Sequence, residues 1–209
     1  MKKFSLFLGF FFLAAPSTFA LSDIEGSDFE TYINNAYEEG IISGYDDGTF
    51  RPDNTVSFIE SLKIAINTGL HKNKIDNSLA EENWYTPFVD YYHENQQADD
   101  FYFENDEPIT RDFAIYLILR QLDIELEAIN IDKIQSSFPD INPDTPLAPY
   151  ILFAKLAGIT NGYSDGTFGP KNTVTRGELT KMVWRTLREN STQIQEKYLQ
   201  LVMEGLLEE

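Results

Sequence analysis

The chain has 209 residues, with 16 Lys/Arg against 34 Asp/Glu, a formal charge of −18 and no cysteine. That balance argues against nucleic acid as a partner, because phosphate binding needs a cationic surface. The lack of cysteine excludes disulfides and a lipoprotein anchor.

From the N-terminus, Lys2 and Lys3, the apolar run from Phe4 to Ala15 and the segment Pro16-Ser17-Thr18-Phe19-Ala20 read as a secretory signal peptide over residues 1–20. The apolar run is shorter than the roughly 20 residues that cross a bilayer, so the mature chain is expected to be secreted and not to span a membrane. What remains is long enough for one domain with its own core.

The next stretch is repeated. Tyr32 through Lys63 and Tyr150 through Lys181 match without a gap at a constant offset of 118. Tyr32-Ile33-x-x-Ala36-x-x-x-Gly40 and Tyr150-Ile151-x-x-Ala154-x-x-x-Gly158 each predict a short helix closed by glycine. The loops Gly44-Tyr45-Asp46-Asp47-Gly48-Thr49-Phe50 and Gly162-Tyr163-Ser164-Asp165-Gly166-Thr167-Phe168 follow, with Asp-Gly turns that require positive φ at Gly48 and Gly166. Phe50 and Phe168 are expected to fold back over the turns. Ser57-x-x-Glu60 and Thr175-x-x-Glu178 are capping boxes that open longer helices.

A degenerate middle copy lies between them. Trp84-Tyr85-Thr86-Pro87-Phe88 aligns with the start of the last repeat and Ile109-Thr110-Arg111 with its tetrad, but Gln96 to Asn105 holds no glycine and Phe113 replaces the capping-box Glu. Phe113 to Leu119 is apolar all round, which predicts a helix enclosed on most sides. Repeats of about 21–70, 76–125 and 136–188 result, each too small to bury its apolar face alone. The long helices are expected over 57–68, 111–122 and 175–188. Residues 191–209 carry Ile194, Tyr198, Leu201 or Val202, and Leu206 at helical spacing, an amphipathic helix that either caps the domain or docks a partner.

The Gly-Tyr-x-Asp-Gly-Thr-Phe loops with the tetrad Thr175-Arg176-Gly177-Glu178 resemble the S-layer homology (SLH) family. The resemblance implies an all-α, mainly helical, pseudo-threefold domain: a central three-helix bundle with short helices and loops outside, and ligand grooves between neighbouring repeats. It implies non-covalent binding of cell-wall polysaccharide, often through acidic ketal-pyruvate sugars of a secondary cell-wall polymer. That places the protein at the cell surface without enzymatic activity, cofactor or metal. Its rival is an interaction module with decayed grooves.

Charge and motif point to the last repeat. Residues 21–137 hold 7 Lys/Arg against 25 Asp/Glu, whereas residues 138–190 hold 6 against 5 and carry the intact tetrad. Arg176 is the first candidate ligand-binding residue, because the capping box does not need it and a cation opposes the dipole at a helix start. Arg111 is the second. Repeat one has Phe58 at this position, so its groove is expected to be silent. Trp84 reads as a sugar-stacking aromatic or as partly buried core; Gly44, Tyr45, Gly162 and Tyr163 complete the candidate set. Trp184 reads as packing. His71 and His93 lack ligand spacing and read as surface or capping residues. Asp46/Asp47 and Asp99/Asp100 lack the EF-hand pattern. No carboxylate pair for glycoside hydrolysis stands out.

Overall fold

A computed structural model describes residues 21–69, 71–75, 83–95, 103–126 and 138–204. The signal-peptide stretch 1–20, Asp99/Asp100 and Leu206 lie outside the described residues. Seven α-helices are present among those described: α1 (Glu30–Glu38), α2 (Phe58–Thr68), α3 (Thr86–Asn95), α4 (Arg111–Arg120), α5 (Ala148–Leu156), α6 (Arg176–Trp184) and α7 (Ser191–Met203). The described residues hold no strand, only isolated bridges, and the protein is mainly α. The last long helix stops sooner than its sequence suggests, since residues Arg185–Glu189 form a π-turn before α7 begins.

Helices α2, α4 and α6 pack on one another in all three pairings. Their apolar faces make the centre of the core, and α4 is buried from Arg111 to Leu119, Ile118 included. Each short helix packs chiefly on a long helix other than the one that follows it in the chain: α1 lies on α6, α3 on α2 and α5 on α4.

The connections before the long helices interlock in the same sense. Val56 N–H donates to Val174 O (2.9 Å), Val174 N–H to Ile109 O (3.2 Å) and Ile109 N–H to Val56 O (3.2 Å), a closed ring. One step on, Arg176 N–H donates to Asn54 O, Arg111 N–H to Asn172 O and Phe58 N–H to Glu107 O. The first N–H groups of a helix have no partner within it. Here a neighbouring connection supplies the acceptor for the first two and a local side chain for the third, so these helix starts are not open to an anion.

Locally the two intact repeats follow their sequence. Both capping boxes form. Phe50 and Phe168 are fully buried beneath their turns. Asp23 accepts from Phe50 and Arg51 N–H (2.7 Å each), and Asp140 accepts from Phe168 and Gly169 N–H (2.9 and 2.7 Å). Each carboxylate thus pins the start of its repeat to the loop. Gly48 and Gly166 have φ of 80° and 87°, and a methyl group on either would meet nothing within 4 Å. The constraint is therefore backbone alone, worth about 1–2 kcal/mol for an L side chain and less for Asn. Urea melts should show Gly166→Val distinctly less stable than Gly166→Asn; equal midpoints would contradict the turn.

Helix α7 buries Ile194 and Leu201, with Tyr198 and Val202 packed beside them, while Leu199 and Met203 stay exposed. Trp184 is partly buried against the core and His93 is exposed. His71 departs from the surface reading: it is buried, with Nε2 2.9 Å from Asp123 Oδ1 and its ring beside Tyr91. The chain following α2 turns inward there and meets the end of α4.

Candidate glycan grooves

The interlocked packing carries the side chains at each helix start across to another repeat's loop. Arg176, on α6, reaches the loop of repeat one. Its Nε donates to Phe50 O (2.9 Å), Nη1 pairs with Glu60 Oε1 (2.9 Å) and Nη2 donates to Ser43 O (3.4 Å). The guanidinium carbon sits 4.6 Å from the ring centres of both Tyr45 and Phe50. Tyr45 donates its hydroxyl to the same Glu60 oxygen at 2.6 Å. Burial, and then that hydrogen bond, push the phenol up to about 12, so it remains a donor at any physiological pH.

A groove of about 490 Å³ opens over this cluster, lined by Ser43, Gly44, Tyr45, Lys63, Trp84 and Arg176 among others. Trp84 is 46% exposed, with Lys63 Nζ 5.0 Å from its ring centre. Of the two alternatives for Trp84, the groove position is the one found.

A second groove, of about 240 Å³, lies over the loop of repeat three. Here Arg111, from α4, takes the equivalent place. Its contacts are longer: Nη1 to Glu178 Oε1 3.4 Å and Nη2 to Thr160 Oγ1 3.3 Å, with Nε finding no acceptor among the described residues. Tyr163 and Phe168 flank it at 4.8 and 5.3 Å. Gly162 and Tyr163 line this groove together with Asp28, Glu178, Lys181 and Arg185.

Aligned with these arginine and glutamate positions, α2 and α4 carry Phe58 and Phe113. Phe58 is buried between Tyr92 (5.3 Å), Phe103 (5.7 Å) and Phe113 (6.2 Å). Arg176, not Phe58, is delivered to the loop of repeat one, and a groove lies over that loop. Phe58 instead packs beside Tyr92, Phe103 and Phe113. The ion pairs Arg176–Glu60 and Arg111–Glu178 are matched there by Phe58 and Phe113.

The structure thus gathers Gly44, Tyr45, Trp84 and Arg176 in one groove, and Gly162, Tyr163 and Arg111 in the other. Two features of these residues bear on their use by a ligand. Arg176 is buried and its guanidinium is engaged in an internal ion pair with Glu60. Gly44 and Gly162 line their grooves, but their lack of a side chain is explained by packing. A methyl group would strike Leu21 and Thr49 O at the first, and Phe138 and Thr167 O at the second. Glu60 and Glu178 as partners of an arginine from another repeat, and Lys63, Lys181, Arg185 and Asp28 as groove walls, were not recognised from sequence. The signal for the lysines was present, since Lys63 and Lys181 recur at the repeat offset.

Comparison with known families adds one match. The S-layer homology domain family model matches residues 20–60 and 137–180, the segments that contain the two glycine loops and both capping boxes. No curated protein matches the chain. Proteins with S-layer homology domains are generally held at the cell-wall surface through them, and among the described residues no helix is long and apolar enough to cross a membrane.

Proposed function

We propose, from the premise that residues 20–60 and 137–180 are S-layer homology units, that this chain is a secreted, non-enzymatic module that attaches to cell-wall polysaccharide. The observation that carries this reading is the pair of open grooves at equivalent places, each walled by a loop tyrosine and an inter-repeat Arg–Glu pair. Repeat three contributes to both, giving Arg176 to one and its loop and α6 to the other, which supports a leading role for it. Trp84 presents a flat apolar ring suited to a sugar face. The long-range field of the acidic chain opposes an anionic polymer such as a pyruvylated one, so contact has to be made locally and improves as salt screens the repulsion.

Cosedimentation with purified sacculi tests the reading. The chain should pellet with sacculi that retain their secondary polymer and stay in the supernatant when the polymer has been extracted. Trp84→Ala, exposed and peripheral to the core, should reduce pelleting without altering the circular dichroism. Equal pelleting with extracted sacculi would refute polymer attachment.

One observation favours a second reading, an interaction module at the envelope whose grooves are structural. The Arg176 guanidinium is already engaged by Glu60, Phe50 O and Ser43 O. In that case Trp84→Ala pellets as the parent does.

A further inference from the structure

The two grooves share a frame, yet their walls differ at two of three aligned places. Lys63 and Lys181 correspond, but Asn67 in the first groove is Arg185 in the second, and Trp84 in the first is Asp28 in the second. The lining of the first groove balances two cations, Arg176 and Lys63, against two carboxylates, Glu60 and Asp46. Arg176 and Glu60 pair at 2.9 Å, and the Glu60 oxygen is shared with the Tyr45 hydroxyl. Lys63 lies 5.0 Å from the exposed Trp84 ring, and beside that ring the groove offers uncharged polar groups such as Ser43 and Asn67. Neutral rings bind such surfaces by stacking, with little dependence on charge.

The second groove has no exposed aromatic platform at that corner, and its lining carries three cations, Arg111, Lys181 and Arg185, against Asp28 and Glu178. Arg111 is held loosely there, by contacts of 3.3 and 3.4 Å. Tyr163 does not reinforce Glu178 as Tyr45 reinforces Glu60; its hydroxyl accepts from Asn172 Nδ2 instead (3.4 Å). Lys181 lies 5.3 Å from the Tyr32 ring, and Arg185 reaches Glu189 only at 3.5 Å. These cations are weakly committed, and an incoming carboxylate displaces only long contacts.

Building on the polysaccharide reading above, we infer that the two grooves have diverged in ligand class: the Trp84 groove takes a neutral sugar ring, and the Arg111 groove takes an anionic one, a sugar carboxylate. Together they read two chemically different residues of one polymer. Asn67 and Arg185 are the positions that decide between them.

The test titrates the full chain with N-acetylglucosamine and, separately, with D-glucuronate, followed by NMR of backbone amides and tryptophan indoles. N-acetylglucosamine should shift the Trp84 indole with little salt dependence, and Trp84→Ala should weaken it about tenfold or more. Glucuronate should shift Gly162, Tyr163 and Lys181. Arg185→Asn should weaken it by a similar factor. The reciprocal change, Asn67→Arg, should bring glucuronate to the first groove. The divergence is overturned if both probes shift one groove, if Arg185→Asn leaves glucuronate binding unchanged, or if neither probe binds. The sacculus assay separates the two ideas: pelleting retained with both probes in one groove leaves attachment standing and defeats the divergence, whereas absent pelleting defeats attachment itself.

Discussion

Arg176→Ala should destabilise the fold by about 3–5 kcal/mol, the usual result of removing one partner of a buried charge pair. Arg176 is 5% exposed and its guanidinium is the shared partner of Glu60, Phe50 O and Ser43 O, with the Tyr45 and Phe50 rings each 4.6 Å away. Truncation leaves Glu60 with only the Tyr45 hydroxyl and its capping-box contacts, opens a void beside two rings and loosens the contact of repeat three with repeat one. Arg176→Lys should recover only part of this, because a point charge can pair with Glu60 but cannot also reach the two carbonyls as a planar fork does. Arg111→Ala should cost less, since its contacts are 3.3 and 3.4 Å and its Nε makes none among the described residues. Urea denaturation followed by circular dichroism orders the three variants. Any loss of sacculus binding by Arg176→Ala has to be read at a urea-free condition where the variant is shown to be folded. An Arg176→Ala midpoint equal to that of the parent would mean that the ion pair does not hold these repeats together.

What could be read from the sequence was what is encoded within about ten residues. The Asp-Gly turns, the glycine helix ends, the two capping boxes and the enclosed Phe113–Leu119 helix all depend on neighbours in the chain, and each is found where the pattern puts it. The candidate groove residues were likewise named from their motifs. Their partnerships were not legible. Arg176 meets Glu60 and Arg111 meets Glu178 because each long helix start is carried to a neighbouring loop, at separations of 116 and 67 residues. A capping-box Glu looks sufficient in its local role, and nothing local announces that it also pairs with an arginine from elsewhere. The inward turn at His71 was hidden for the same reason: its neighbour Asp123 lies at the far end of another helix.

The same interlock turns two apparent losses into one. Phe58 stands where the other repeats have arginine, and Phe113 stands where they have the capping-box glutamate; in the fold these two positions face each other, 6.2 Å apart. An ion pair has been replaced by an aromatic pair, extended by Tyr92 and Phe103, the latter stacked on Phe58 and 4.7 Å from Phe113. Replacing a buried pair with packed apolar groups is often neutral or stabilising, because two desolvation costs disappear. Phe58→Arg alone should then be costly, by about 3–5 kcal/mol, since the new charge enters an aromatic cluster and faces Phe113 where the other pairs have glutamate. Phe113→Glu alone should fail comparably. The double variant Phe58→Arg/Phe113→Glu rebuilds the pair found at the other two places, and the cycle should show a favourable coupling of about 0.5–3 kcal/mol. Recovery stays partial because Phe103 and Tyr92 still crowd the site and leave few hydrogen-bond partners for the restored charges. Urea melts of the four proteins decide it. Strict additivity, with the double variant as unstable as the sum of the singles, would mean that Phe58 and Phe113 are not the counterparts of Arg176 and Glu60, and that the third place between repeats was never a groove.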